Sequence, residues 1–193
     1  MSVLSKENQD LFDQLVENRV LHVSRLDDDL SRTLIVTDSE YPYPTIVAKQ
    51  GHRPMFTLAF IGGGMCAYEK VTSEDDDDLD LYEGQEGAAT SVLNQIRYLC
   101  LKNVIDTIAL VTRVPSLATA GQNLTDILVQ MMRADRQVAK RNRRVQVVVS
   151  FLSIQLGDGR EFDIMVDPIS FQKWHLACRS LEVVTDFDPQ TIV

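Results

Sequence analysis

Gln122–Asp167, QNLTDILVQMMRADRQVAKRNRRVQVVVSFLSIQLGDGREFDIMVD, decides the fold because its hydrophobic period changes once, from helical to alternating. Leu124, Ile127, Leu128, Met131, Ala134 and Val138 recur at helical spacing, which predicts an amphipathic helix over Asn123–Asn142. Arg133, Arg136, Lys140 and Arg141 gather in its last turns, where cations complement the partial negative charge of a helix C-terminus. The period then becomes two: Val145, Val147, Val149 and Phe151 fall on one face and Leu152, Ile154 and Leu156 on the other.

Beyond Gly157-Asp158-Gly159, Phe162, Ile164 and Val166 alternate with Glu161 and Asp163. A three-residue loop with Gly159 left-handed sets Ile154 opposite Phe162, Leu152 opposite Ile164 and Gln155 opposite Glu161. A two-residue loop would slip the register by one and turn the apolar set outward, so the three-residue loop is predicted. Asp167-Pro168 reads as an N-cap followed by proline at the first helical position, opening a helix over Pro168–Ser180.

Working outward, Ser5 caps a first helix with Leu11, Phe12, Leu15 and Val16 on one face. Arg19–Val23 and Arg32–Thr37 are expected to pair as a hairpin around Asp27-Asp28-Asp29. Tyr41-Pro42-Tyr43-Pro44 lacks the donors of a central strand and reads as an edge loop or polyproline segment, with either Tyr–Pro bond a candidate for the cis form. A second hairpin is expected between Met55–Ile61 and Met65–Val71, turning at Gly62-Gly63-Gly64. Ala89, Val92, Leu93, Ile96, Leu99 and Cys100 mark a helix from Gly87, Thr107–Val114 a strand closed by Pro115, and Leu181–Phe187 a last strand. No linker or repeat divides the chain, so 1–193 is expected to be one α+β domain. Its sheet is expected to be mainly antiparallel or mixed, parallel where β-α-β-α-β runs through the middle, with about four helices packed on it. The tail at 188–193 is expected to fray.

Of the 193 residues, 45% are hydrophobic and 24% charged, the balance of a globular domain. No apolar run reaches the roughly 18–20 residues that span a bilayer, and the N-terminal residues lack the pattern of a secretory signal. Cys66, Cys100 and Cys178 are odd in number and widely spaced, which fits buried thiols in a reducing, cytoplasmic setting. The net charge of −9 is unevenly placed. An acidic loop at 72–86 holds Glu74, Asp75, Asp76, Asp77, Asp78, Asp80, Glu83 and Glu86 with no cation, and without these eight carboxylates the remainder is −1. Arg133–Arg144 holds six cations (Arg133, Arg136, Lys140, Arg141, Arg143, Arg144) against Asp135, a local +5.

Familiar chemical motifs fail on inspection. Gly62-Gly63-Gly64 is followed by Met65-Cys66-Ala67, not by the Gly-Lys-Ser/Thr of a phosphate loop. Asp76-x-Asp78-x-Asp80 begins like a calcium loop, but Leu81 and Gly87 stand where glycine and a bidentate glutamate are needed. His22, His52 and His175 have no partners at metal-ligand spacing, and no nucleophile signature occurs, so no metal or cofactor is implied. Ser73, ahead of Glu74, Asp75 and Asp76, matches the pattern of an acidophilic kinase site.

The charge distribution therefore carries the functional expectation: a non-enzymatic interaction or assembly protein using the acidic loop and the basic helix end as contact surfaces. A homo-oligomer, an adaptor or chaperone, or a viral or phage structural component would suit it. The alternative is nucleic-acid binding through Arg133–Arg144, with the acidic loop competing as a phosphate mimic. A hydrolase or transferase with a spatially assembled site has no motif behind it.

Overall fold

The computed structural model describes residues 5–24, 26, 30–48, 54–67, 88–155 and 161–185. The elements are α1 (Lys6–Glu17), β1 (Leu21–His22), β2 (Thr33–Asp38), α2 (Thr45–Ala48), β3 (Phe56–Phe60), a 3₁₀ turn (Gly63–Ala67), α3 (Ala88–Lys102), β4 (Thr107–Val114), α4 (Leu124–Arg141), β5 (Val147–Gln155), β6 (Glu161–Val166) and α5 (Pro168–Thr185). The strands form one mixed sheet in the order β1-β6-β5-β4-β2-β3. β1–β6 and β6–β5 are antiparallel, while β5–β4, β4–β2 and β2–β3 are parallel.

Helices packed on a mixed α+β sheet are what the element order implies, and the parallel pairs lie in the stretch where helices separate the strands. The β5–β6 register has Ile154 opposite Phe162, Leu152 opposite Ile164 and Gln155 opposite Glu161, as expected. The loop that joins them, with Gly159, lies outside the described residues. The predicted caps at Ser5 and Asp167 are present, and Asn123 caps α4 as well. Ser5 accepts from the Asn8 amide, Asn123 Oδ1 from the Thr125 amide at 2.7 Å, and Asp167 Oδ1 from the Ser170 amide at 2.6 Å.

Two expected pairings and one expected strand are corrected. Arg19–Val23 and Arg32–Thr37 do not form a hairpin. Leu21–His22 pairs with β6, and β2 runs between β3 and β4. All of β2 is buried, so it belongs in the sheet interior, between β3 and β4, where both faces are covered. Nor does a strand follow β3. Gly62 and Gly63, at φ +88° and +59°, turn the chain back over the sheet into the 3₁₀ turn. The glycines serve close approach: a Cβ on Gly63 would collide with the Val111 carbonyl, and one on Gly64 would lie 2.5 Å from Leu110 Cβ. Residues 68–71 of that expected strand lie outside the described residues. Finally, 181–185 continue α5 instead of forming a strand. No glycine or proline stops the helix after Ser180, and propagation of an established helix is favourable. The cis X-Pro bond is Val114–Pro115, and neither Tyr–Pro bond is cis.

Helices cover one face of the sheet. α4 lays Leu124, Ile127, Leu128 and Met131 into one cluster with Leu15, Val114, Leu152, Ile164 and Phe171. Its Ala134 and Val138 join a second cluster with Leu34, Val36, Leu93, Ile96, Ile108 and Leu110. The opposite face (Ile35, Ala109, Val111, Phe151) is covered by Leu26, Leu30 and Ile46. There Asp163, expected on a polar face, is buried: its Oδ2 accepts from Thr45 Oγ1 and the Ile46 amide, both at 2.8 Å, tying α2 to β6.

Gly63→Ala is expected to destabilise the fold by about 3 kcal/mol or more, from collision plus a left-handed backbone. Gly121→Ala, also at positive φ but with open space around it, is expected to cost only about 1–2 kcal/mol. Urea unfolding of the two variants checks the contrast.

Candidate functional site: the amino edge and its basic pole

Two places on this sheet could act on a partner: the carboxyl ends of the parallel strands and their amino ends. β2 leads through α2 to β3 on one side, and β4 returns on the other, so the carboxyl ends of β2 and β4 flank a topological switch point. Open α/β sheets commonly bind ligands there. In this chain the polar groups between β2 and β4 at that edge are bonded to one another. Asp38 accepts from the Glu40 and Gly62 amides, and Glu40 spans to Arg113 at 3.1 Å and to the Leu117 amide.

The adjoining cavity, about 390 Å³, is lined by Ser5, Glu7, Asn8, Val114, Pro115, Thr119, Gly121, Gln122 and Asn123. Glu7 is the single titratable side chain of that lining. Ser5 and Asn123 are spent as caps, and Asn8 reaches across to the Leu124 amide and the Gln122 carbonyl. Such a wall has polar contact to offer, but no converging acid and base.

Cys66 and Cys100 add no nucleophile. Burial, helped by the nearby Asp38 carboxylate, pushes the Cys66 thiol up to about 12, and its Sγ donates to the Gly63 carbonyl. Burial likewise pushes Cys100 up to about 11. Thiols held that high are poor nucleophiles near neutral pH. Among the described residues no cluster of His, Cys, Asp or Glu could hold a metal ion, and His175 stacks on Phe171 at 5.5 Å.

The amino edge is different. α3 and α4 each lead directly into a parallel strand, so their C-termini both lie at the edge where β4 and β5 begin. Because α4 is fixed by its apolar stripe, Arg133, Arg136 and Lys140 are exposed, as are Arg143 and Arg144 beyond its end, with Arg141 half-buried. Asp135, the one acid of Arg133–Arg144, faces the sheet instead, where Ser150 Oγ donates to its Oδ2 at 3.0 Å. Asp106, at the same edge, is paired with Arg32 at 2.8 Å. Five of the six basic residues of this pole are thus exposed along α4 and just beyond its end, while Glu74–Asp78, Asp80 and Ser73 lie outside the described residues.

Sequence reasoning missed the apolar half of this surface. Val104 and Val147 are 62% and 49% exposed, within a few residues of the Thr107–Val147 pairing that starts the β4–β5 ladder. Tyr98 and Leu101, also exposed, share the outer face of α3 with Arg97. A signal was available: Tyr98 and Leu101 are apolar residues opposite the buried stripe of an amphipathic helix. Exposed apolar and aromatic residues beside arginines have the composition of a protein contact surface.

Burial pushes the Asp135 carboxyl up from 3.8 to about 6, only partly offset by the Ser150 hydrogen bond. A folded-state value above the unfolded one means that stability is full below about pH 4 and falls as pH rises through about 6. Asp135→Asn retains an acceptor for Ser150. It is expected to flatten the pH 4–6 dependence and to raise stability at pH 7 by about 1–3 kcal/mol. Thermal unfolding across that range measures both effects. No protein-family model matches the chain, and no curated protein or solved structure matches it.

Proposed function

We propose that this chain is a non-enzymatic interaction or assembly protein whose amino-edge pole docks an acidic protein surface. One observation carries the reading. Arg136, Lys140, Arg143 and Arg144 are exposed toward the same edge of the sheet at which Tyr98, Leu101, Val104 and Val147 are exposed, while Asp135 is turned inward to Ser150. Cations steer an acidic partner to this edge and fix its orientation, and the apolar residues supply contact that excludes water. Nucleic acid would use the cations alone. Leu101, Val104 and Val147 offer nothing to a phosphate backbone. No helix among the described residues is long and apolar enough to cross a membrane, so the pole is not assigned to flanking one.

Fluorescence anisotropy with labelled poly-L-glutamate, and in parallel with duplex DNA, tests this. Poly-L-glutamate is expected to bind at low salt, roughly tenfold more weakly when Arg143→Glu and Arg144→Glu are combined. Tyr98→Ala with Val104→Ser is expected to weaken it as well. Tighter binding of duplex DNA, indifferent to the apolar pair, would transfer the pole to nucleic acid. Binding of neither probe would end the reading.

A further inference from the structure

On the sheet face opposite α4, one row of side chains differs from its neighbours. β4, β5 and β6 place Arg113, Ser153 and Asp163 at paired positions, next in line after the apolar row of Val111, Phe151 and Met165. Arg113 carries its guanidinium to Glu40. Ser153 and Asp163 are 0% and 6% exposed. Ser153 Oγ and Asp163 Oδ1 are each closed off from solvent without a hydrogen-bond partner. Three buried side-chain atoms among the described residues share that condition, and the other, Asn142 Oδ1, stands apart at the end of α4. The two in this row are cross-strand neighbours on one face.

A buried hydroxyl and a buried carboxylate oxygen left unbonded are costly, and folded proteins meet such groups with a partner. We propose that Ser153 Oγ and Asp163 Oδ1 hold one buried water molecule between them, and that this water completes the clasp by which β6 keeps α2 on the sheet.

The geometry selects water. Directly opposite residues of an antiparallel pair have Cβ atoms about 4.5–5.5 Å apart. One water spans oxygens at such a separation with two hydrogen bonds of about 2.8 Å. It accepts from the Ser153 hydroxyl and donates to the Asp163 carboxylate at once. A direct bond would need the carboxylate to swing toward Ser153. Its Oδ2 is held by Thr45 Oγ1 and the Ile46 amide, both at 2.8 Å, so that turn would release α2. Other occupants fit less well. An anion would meet the Asp163 charge. A metal ion would need several more ligands, and no cluster of three His, Cys, Asp or Glu exists among the described residues. A larger molecule has no route to two atoms closed off from solvent.

The element that gains is α2. Its four residues, Thr45–Ala48, are too few to sustain a helix by their own hydrogen bonds. One oxygen of Asp163 binds α2, and the water fixes the other, so the carboxylate has a single orientation in which to hold Ile46 over the sheet.

Water-to-protein NOE spectroscopy of the full chain, with oxygen relaxation dispersion to count long-lived internal waters, is the test. A long-lived water is expected in contact with the Ser153 β protons of the wild type. Ser153→Val, which fills the gap with methyl groups, is expected to lower the count by one. Asp163→Asn is expected to keep the water, because an amide NH2 in the place of Oδ1 donates to it and its other bond reverses. No long-lived water beside Ser153 in the wild type would overturn the proposal, and that measurement decides it alone should Ser153→Val not fold. A folded Ser153→Val with an unchanged count would overturn it as well. A melting temperature raised by sodium or potassium but not by tetramethylammonium, with that response lost in Ser153→Val, would overturn it in favour of a cation.

Discussion

The apolar stripe of α4 is the constraint on which the remaining architecture turns. Leu124, Ile127, Leu128 and Met131 close the cluster shared with α1, β5, β6 and α5, and Ala134 and Val138 close the one shared with α3, β2 and β4. Burying each larger side chain contributes roughly 1.5–3 kcal/mol. A surface cation near a helix end contributes only about 0.3–1 kcal/mol. The stripe therefore dictates the rotation of the helix, and the arginines take the directions that remain. Their exposure is a consequence of core packing, and so is the inward aim of Asp135 toward Ser150.

A second constraint operates at the other end of the sheet. The close passage of Gly63 and Gly64 over Val111 and Leu110 brings the 3₁₀ turn onto β4, where the Met65 amide donates to the buried Thr112 hydroxyl. Together with Asp38, Glu40, Arg113 and Asn8, this turn joins the carboxyl ends of the parallel strands through mutual hydrogen bonds. The edge where related architectures commonly bind small molecules is spent on holding the loops together. The amino edge carries the Arg32–Asp106 ion pair, while Arg136, Lys140, Arg143 and Arg144 are exposed there.

Charge and apolar contact play distinct parts at such a surface. Exposed cations by themselves set encounter rate and orientation and weaken as salt rises. In the proposed docking, the exposed Tyr98, Leu101, Val104 and Val147 would add an area that salt does not screen. Asp135 connects the pole to stability, since its carboxylate is held against the sheet in a setting that favours the proton.

The sequence by itself determined the elements whose signals are local. The helical period of α4, the caps at Ser5 and Asp167, the span of β4 and the β5–β6 register depend on neighbours within a few residues or on one short loop. The location of the cations was legible as well, because an amphipathic helix has only one face to give them. Tertiary structure alone decided which strands are neighbours. Alternation in β2 and β3 reports burial without naming a partner, and the same three glycines suit a hairpin loop or a backbone pressed against a sheet. It also decided that the ends of α3 and α4 share an edge, since Thr107, just after Val104, pairs with Val147, just after Arg143 and Arg144. The physical reason is that local periodicity fixes which side of an element seeks burial, whereas the choice of what it buries against is made only when the whole chain closes on its core.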